Sequence, residues 1–245
     1  RIMIFNNLLN FINNSYIFSK KKIRSLYLSS NIYNKKITPS TAGSLEYHPS
    51  PNFLDSLIKY DKKKINIENY SLNKIWDNKN LKEKDYRSLN SFFWLFSLDL
   101  RSSKKDTQSV ILQWIDKNHR YNPKSWELDI VAKRIIAWTS NSRLTYENGN
   151  TDYKEKFNSV VKKQINHLIN EIEKSEWVDD KIIGCAAIIL TGLSYQDKKV
   201  YLDTGLSLLR KLVKFSFDND GFPKSRNIRQ LCFYLKYFIL IREWF

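Results

Sequence analysis

The segment Trp126-Glu-Leu-Asp-Ile-Val-Ala-Lys-Arg-Ile-Ile-Ala-Trp138 decides the fold class, because its apolar residues recur three and four positions apart. This spacing forms one apolar stripe along an α-helix, whereas a half-buried strand alternates with a period of two. Asn122-Pro123 breaks the chain before this segment, and Ser125 is a candidate N-cap. We therefore predict a helix from Trp126 to about Ser142.

The same spacing continues along the rest of the chain. It predicts further helices around 89–100, 110–115, 157–172, 182–193, 202–213 and 227–245. Short connections make successive helices antiparallel neighbours. Because no fixed-period repeat and no strand pattern of any length competes, we predict an all-α fold, arranged as an incomplete α/α toroid of antiparallel helical hairpins.

Residues 1–80 differ from the remainder. The first 30 residues have apolar positions that suit one or two amphipathic helices, and 31–80 are rich in Asn, Lys, Ser and Pro. We expect basic N-terminal helices and an irregular connecting arm over 1–80, followed by the toroid domain over 81–245. The chain ends at Phe245 inside an apolar helical pattern, and we expect it to be a fragment of a longer protein.

The chain is strongly basic, with 41 Lys and Arg against 25 Asp and Glu and a net charge of +16. This excess predicts attraction to polyanions, namely nucleic acid, acidic polysaccharide or an anionic membrane. A competing explanation is an AT-rich coding sequence, which favours Lys, Asn, Ile, Tyr and Phe without any ligand. Residues 1–80 hold 13 basic and 5 acidic residues and are about twice as basic per residue as the rest.

The composition excludes several classes of protein. Six Gly and five Pro are too few for a collagen or a turn-rich barrel, and two Cys exclude a disulfide framework. The sequence contains no stretch of 18 apolar residues, so it predicts no transmembrane helix. Nucleotide-binding loops, a paired-His zinc motif and a GxSxG elbow are all absent, so the sequence predicts no cofactor and no metal. Cys185 and Cys232 lie in apolar helices, and we interpret them as core thiols. We interpret His167 as a histidine that is either satisfied by hydrogen bonds or exposed at the surface.

Arg134 and Trp138 are four residues apart and share a helix face. An Arg beside an indole can hold a carboxylate or sulfate while the ring stacks on a sugar. The alternative is an Arg that ties helices together by pairing with a buried backbone or acidic group.

A second candidate is Asp220-Gly-Phe-Pro-Lys-Ser-Arg-Asn227, a tight turn that leads into a helix. Lys224 and Arg226 lie beside the N-terminal amides of that helix, which suits an anionic group. Tyr234 and Tyr237 follow on the same helix. A tyrosine near a cation can act as an acid or base if its pKa falls, and the alternative is core packing.

Short motifs occur in a fixed order over about 75–245. They are Phe92-Phe93-Trp94-Leu95, Asp99-Leu100, Trp114, Trp126 through Arg134 to Trp138, Asp220-Gly221, Ser225-Arg226-Asn227 and Leu240-Ile241-Arg242. In this order and spacing the chain resembles the heparinase II/III family, and within it the uncharacterised alphaproteobacterial members.

The resemblance implies an α/α toroid followed by a β-sandwich domain, and we expect the sandwich to lie outside this sequence. It also implies polysaccharide lyase chemistry, the β-elimination of uronic-acid polymers. The family's Asn-Asn-His motif is replaced here by Asp179-Asp180-Lys181, and its Glu by Cys185. By the resemblance Tyr234 or Tyr237 is the catalytic acid or base, with Lys181 near the former His position. The implied substrate contacts are Trp126, Arg134, Trp138, Lys224, Arg226 and Asn227.

Three hypotheses stay open. The first is a polysaccharide lyase, the second a non-catalytic protein that binds acidic glycans on the same fold, and the third an all-α nucleic-acid-binding module. The third is disfavoured because most aromatic residues fall on core spacing rather than between exposed Lys and Arg. The sequence names neither the sugar nor the compartment nor the oligomeric state.

Overall fold

The fold is described by a computed structural model over residues 15–16, 18–41, 43–49, 76, 81–98, 103–195 and 199–245. Within these residues the chain is mainly helical, and strand-like pairing is confined to one bridge between Phe217 and Pro223. The all-α prediction is therefore confirmed. The helices are α1 over 18–28, α2 Asn31–Ile37, α3 Glu83–Ser91, α4 Lys104–Asn118, α5 Leu128–Ser140, α6 Ser142–Thr145, α7 Thr151–Glu171, α8 Val178–Ser194, α9 Lys199–Ser216 and α10 Ile228–Trp244.

Several helices begin where a polar side chain satisfies free amide groups of the first turn. Ser103 caps α4 by accepting a hydrogen bond from the Asp106 amide at 3.2 Å. Asn150 caps α7, and Asn227 caps α10. The Asn227 cap places the start of α10 within one residue of the prediction, whereas α4 and α7 begin six residues before the apolar spacing predicts, because their caps precede the apolar stripe.

Two local predictions are wrong. Ser125 does not cap α5, because its hydroxyl donates to Asn118 Oδ1 at 3.0 Å and the helix begins at Leu128. The helix predicted around 89–100 breaks at Phe92, which adopts a left-handed conformation with φ of 57°. A 3₁₀ turn over Phe93–Ser97 follows. This change of direction places most of the aromatic side chains of the segment in the core.

Helices α5 and α8 both lie antiparallel to α7. On the α5 side, Arg134 contacts Gln164 and Trp138 packs against Phe157. On the α8 side, Tyr195 donates to Asn158 Oδ1 at 2.8 Å near the end of α8 and the start of α7. Two helices that are antiparallel to the same partner are parallel to each other, so α5 and α8 run in the same direction.

Helix α8 also packs closely on α9, through small residues. A Cβ atom added to Gly192 would lie 2.4 Å from the Leu202 amide nitrogen, and the Cys185 thiol donates to the Gly205 carbonyl at 3.3 Å. The small residues of α8 therefore allow α9 to approach closely. Cys185 is buried as predicted, whereas Cys232 is exposed and is not the core thiol that we predicted.

The start of α10 lies beside the start of α8, because Gln230 donates to Asp179 Oδ1 at 3.3 Å. The N-terminal ends of α5, α8 and α10 therefore lie on the same side of the molecule. Each end carries free backbone amides and the positive end of a helix dipole. This arrangement positions the candidate site described below.

The N-terminal part is attached to the rest of the chain through α7. Asn166 on α7 donates to the Ile37 carbonyl at 2.8 Å. Further along the chain, the Glu46 amide donates to the Ser194 carbonyl at 2.9 Å, and the neighbouring Leu45 is buried. Helix formation within 18–28 agrees with the prediction, but 31–37 is helical instead of irregular. The predicted apolar positions over 4–12 and most of the predicted arm lie outside the described residues. None of the described helices is both long enough and apolar enough to cross a membrane.

Candidate functional site

A cleft of about 580 Å³ opens beside the starts of α5 and α8. Helix α1 and the end of α7 form its other walls. Its lining mixes aromatic, cationic and carboxylate side chains, which is the composition of a site for a polar ligand with apolar faces. The residues that carry the argument are Arg24, Arg87, Tyr121, Trp126, Glu127, Asp129, His167, Glu171, Lys174, Ser175, Trp177 and Asp180.

The floor of the cleft is aromatic and rigid. His167 accepts or donates a 2.7 Å hydrogen bond with the Tyr33 hydroxyl through Nδ1, and its ring packs edge-on against Trp126 and Tyr33. Burial lowers the pKa of His167 to about 3, although a hydrogen bond to the Trp126 backbone opposes the shift. The imidazole is therefore neutral at physiological pH, and the prediction of a satisfied histidine is confirmed.

One wall carries an ion-pair network. Arg87 donates to Asp129 at 2.7 Å and also pairs with Glu127, and Lys133 donates to the other Asp129 oxygen at 2.8 Å. Burial raises the pKa of Asp129, but the charges and hydrogen bonds of Lys133 and Arg87 outweigh burial and lower it overall. Asp129 is therefore a fixed anion within this network.

Asp180 behaves in the opposite way. It is half-buried on the cleft wall, where its carboxylate accepts a 3.0 Å hydrogen bond from the Ser175 hydroxyl. Burial raises the pKa of Asp180, and the negative charge of Asp129 raises it further. Two carboxylates whose pKa values move apart provide one fixed charge and one group suited to proton transfer.

Trp177 stands at the rim of the cleft with 72% of its surface exposed. It is the N-cap residue of α8, and it is held there by its backbone, whose amide bonds the Ser175 hydroxyl oxygen at 3.1 Å. Trp177 is not among the site residues predicted from the sequence. Its signal was its position, since it lies in a polar segment outside every predicted apolar stripe.

Tyr234 and Tyr237 are both brought to the side of α10 that faces α8. Each is only 2% exposed. Burial and the nearby Asp179 carboxylate raise the pKa of Tyr234 to about 12, and burial with the Asp129 and Asp179 charges raises that of Tyr237. Both phenols are protonated at neutral pH, and a lowered tyrosine pKa, which the sequence analysis considered, is not found.

Arg134 is fully buried, which is contrary to the predicted contact with substrate. Its guanidinium donates to the carbonyls of Asn90 and Ser125 at 2.8 and 3.0 Å and to Gln164, and it lies 4.0 Å from the centre of the Trp114 ring. Without accessible surface, it holds neighbouring segments together in the way that the alternative interpretation describes.

The two predicted tryptophans occupy different environments. Trp138 is fully buried, with Phe92 at 5.1 Å and Trp114 at 5.5 Å between ring centres, so the predicted stacking on a sugar has no exposed ring face. Trp126 is 1% exposed but lines the floor of the cleft, and its indole donates to the Asn118 carbonyl at 2.9 Å. Of the two, Trp126 is the one that belongs to the candidate site.

The predicted residues of the 220–227 turn are used within the turn itself. Arg226 has a φ of 54° and pairs with Asp218 at 2.8 Å, and the Lys224 ammonium bonds the Lys214 carbonyl at 3.2 Å. Asn227 caps α10. The turn lies at the start of α10, outside the lining of the cleft, as does Lys181 on α8.

A second cavity, also of about 580 Å³, lies between the 38–40 segment, α4 and α7. Lys163 lines it, and burial together with the charge of Arg120 lowers the pKa of this lysine to about 8. Its ammonium donates to the His119 carbonyl at 2.6 Å. His119 is the one ring-bearing side chain among the described residues that line this cavity besides Pro39, and no Trp, Tyr or Phe among them offers the larger stacking surface of the first cleft.

Among the described residues, no group of three His, Cys, Asp or Glu is arranged to hold a metal ion. No family model, no curated protein and no solved structure matches this chain.

Proposed function

We propose that this chain binds an acidic, uronate-containing polysaccharide in the cleft at the starts of α5 and α8. The observation that carries this proposal is the exposed Trp177 at the rim of a cavity lined by charged groups. An indole that is 72% exposed leaves apolar surface in water, and stacking on the apolar face of a sugar covers that surface. Arg87 and the carboxylates supply hydrogen-bond partners for hydroxyl groups.

The scaffold that we propose is the incomplete α/α toroid of the sequence analysis. The parallel direction of α5, α8 and α10, with α7 and α9 antiparallel beside them, supports it. In such an arrangement the starts of the inner helices meet at one end. Their dipoles favour an anionic ligand at that end, which is where the cleft lies.

The chemistry that we propose is β-elimination, as the resemblance to the lyase family implies. A base takes the proton from the carbon next to the uronate carboxyl group, the electron pair forms a C=C bond, and the glycosidic C–O bond breaks. An acid then gives a proton to the leaving oxygen. Tyr237 and Tyr234 are protonated at neutral pH and are the proton donors that the resemblance implies, although burial raises their pKa and weakens them as acids. The raised pKa of Asp180 supports the base role. Lys181 remains a predicted contributor.

The second candidate function is binding of acidic glycans without catalysis. A specific observation favours it, since neither Tyr234 nor Tyr237 lines the cleft and each is only 2% exposed. The Asp179-Asp180 pair, in place of the family's Asn pair, does not neutralise a uronate carboxylate. Under this alternative, the cleft holds the polysaccharide and no bond is broken.

One experiment separates the two functions. The chain is incubated with polymers of galacturonic, mannuronic and glucuronic acid while the near-ultraviolet absorbance of an unsaturated product is followed. A lyase gives a rise that Asp180→Asn or Tyr237→Phe reduces at least about 100-fold, as expected for loss of a general acid or base. Asp203→Asn, an exposed carboxylate on α9, is the matched control.

Flat absorbance with measurable binding of one polymer supports the non-catalytic alternative. Absence of both product and binding for every polymer rejects the proposed function altogether.

A further inference from the structure

The charges that line the cleft form two groups. In the first group Arg87 pairs with Glu127 and Asp129, and Asp180 adds a carboxylate beside them. Lys133, which lies outside the lining, also pairs with Asp129. In this group the carboxylates are at least as numerous as the cations, so no positive charge is left without a partner. A ligand carboxylate therefore gains nothing from approaching it.

The second group has the opposite balance. Arg24 on α1 and Lys174 after α7 share a single carboxylate, that of Glu171, and the contact from Lys174 measures 2.9 Å. The Glu171 side chain is 7% exposed, whereas those of Arg24 and Lys174 are 40% and 54% exposed. All three line the cleft, so one anion holds two cations whose outer surfaces face the cavity.

The two cations are close enough to act on each other. Burial lowers the pKa of Lys174, and the positive charge of Arg24 lowers it further. Both cations also lower the pKa of His167, whose neutral ring contributes no charge. A second anion beside Arg24 and Lys174 would relieve this repulsion while Glu171 keeps both side chains in place.

We propose that Arg24 and Lys174, positioned by Glu171, recognise the carboxylate of a uronic acid residue and determine the specificity of the cleft for acidic over neutral saccharides. This inference rests on the proposed function, because it assigns the acid-recognising part of the same site. Arg24 offers the planar donor pair that fits a carboxylate, and Lys174 adds a point charge.

The test compares acidic and neutral forms of the same sugars. Oligosaccharides of galacturonic, mannuronic and glucuronic acid, and their carboxyl-reduced counterparts, are titrated calorimetrically into the wild-type chain, Arg24→Gln and Lys174→Gln. Lys211→Gln serves as the control, since Lys211 pairs with Glu173 outside the cleft and the substitution removes the same charge. Circular dichroism of each variant verifies folding.

We expect the wild type to bind an acidic oligosaccharide at least tenfold more tightly than its reduced form. Arg24→Gln and Lys174→Gln should each remove most of that difference, and Lys211→Gln should keep it. Equal affinity for acidic and reduced sugars, or equal losses in all three variants, overturns the assignment but leaves saccharide binding established. Binding of neither form to the wild type overturns the proposed function and the assignment together.

Discussion

At the scale of single residues, the most unusual feature is Arg134, which is fully buried and pairs with no carboxylate among the described residues. Arg134 is surrounded by carbonyl groups, the Gln164 amide oxygen and the Trp114 ring. Burial lowers its pKa well below the ordinary value. Its Nε and Nη1 groups donate three hydrogen bonds and the Trp114 ring lies against the guanidinium, while Nη2 has no hydrogen-bond partner in the described part of the chain. These bonds offset part of the cost of burying the cation, so they are coupled to the stability of the core.

Replacing Arg134 is therefore expected to be strongly destabilising. Arg134→Ala leaves buried carbonyls without donors and opens a cavity, and the free energy of unfolding should fall by about 3 kcal/mol or more. Urea unfolding followed by circular dichroism measures this change. Arg143→Ala, at an exposed position on α6, should stay close to the wild type. A loss below about 1 kcal/mol for Arg134→Ala would contradict the packing role.

His167 makes stability depend on pH. Its pKa is about 3 in the folded chain and 6.5 for an unperturbed histidine, so the unfolded state binds the extra proton between these values. Stability is complete above pH 6.5 and falls as the pH drops toward 3, by about 2 kcal/mol between pH 7 and pH 5. Urea unfolding of the wild type and His167→Gln at both pH values tests this. The variant should lose clearly less, and identical losses would refute the assignment.

At the scale of helices, the close contact between α8 and α9 depends on Gly192. A Cβ atom there would lie 2.4 Å from the backbone nitrogen of Leu202, which cannot move without shifting α9. At Gly184 the added atom would meet side chains instead of backbone, with Ile172 Cδ1 at 2.6 Å, Ile172 Cγ1 at 3.0 Å and Leu168 Cδ2 at 3.9 Å. The two glycines lie in the same helix, so they form a matched pair in which the neighbour alone differs.

Gly192→Ala should accordingly destabilise the chain by about 1 to 3 kcal/mol, as overpacking does. Gly184→Ala should cost less, because the flexible Ile172 tip can adjust while the gain in helix propensity is the same. Thermal unfolding of both variants measures the difference. Equal midpoints for the two would show that α9 is not held as closely as the structure describes.

The helices could be predicted from the sequence because their apolar stripes are long and polar caps such as Asn227 mark their starts. The break at Phe92 could not, since the segment keeps helical spacing while core packing of its rings favours a left-handed residue. Similarly, the spacing of Arg134 and Trp138 defines a shared helix face but does not say whether that face meets solvent or protein. Trp177 was missed because its importance depends on a cavity formed by distant segments.

At the scale of the whole molecule, the surface and the cleft have different charge balance. The chain carries a net charge of +16, whereas most cleft cations are paired with carboxylates. The surface charge attracts any polyanion at long range and is screened by salt, and contacts inside the cleft are screened less.

Salt should therefore separate the two contributions. Raising NaCl from 50 to 300 mM should weaken binding of a long acidic polymer more than binding of a short uronic-acid oligosaccharide that fills the cleft. Fluorescence titrations at both salt concentrations measure the ratio. An oligosaccharide that loses affinity as steeply as the polymer would indicate binding to the surface alone.

The central claim is that the cleft beside Trp177 binds saccharide, and one comparison tests it most directly. Calorimetric titration of a uronic-acid oligosaccharide is carried out on the wild type, Trp177→Ala and Phe215→Ala, which removes an aromatic ring of similar exposure on α9. We predict that Trp177→Ala lowers the affinity at least tenfold, about 1.4 kcal/mol, and that Phe215→Ala leaves it unchanged. Equal affinity of the wild type and Trp177→Ala would contradict the claim.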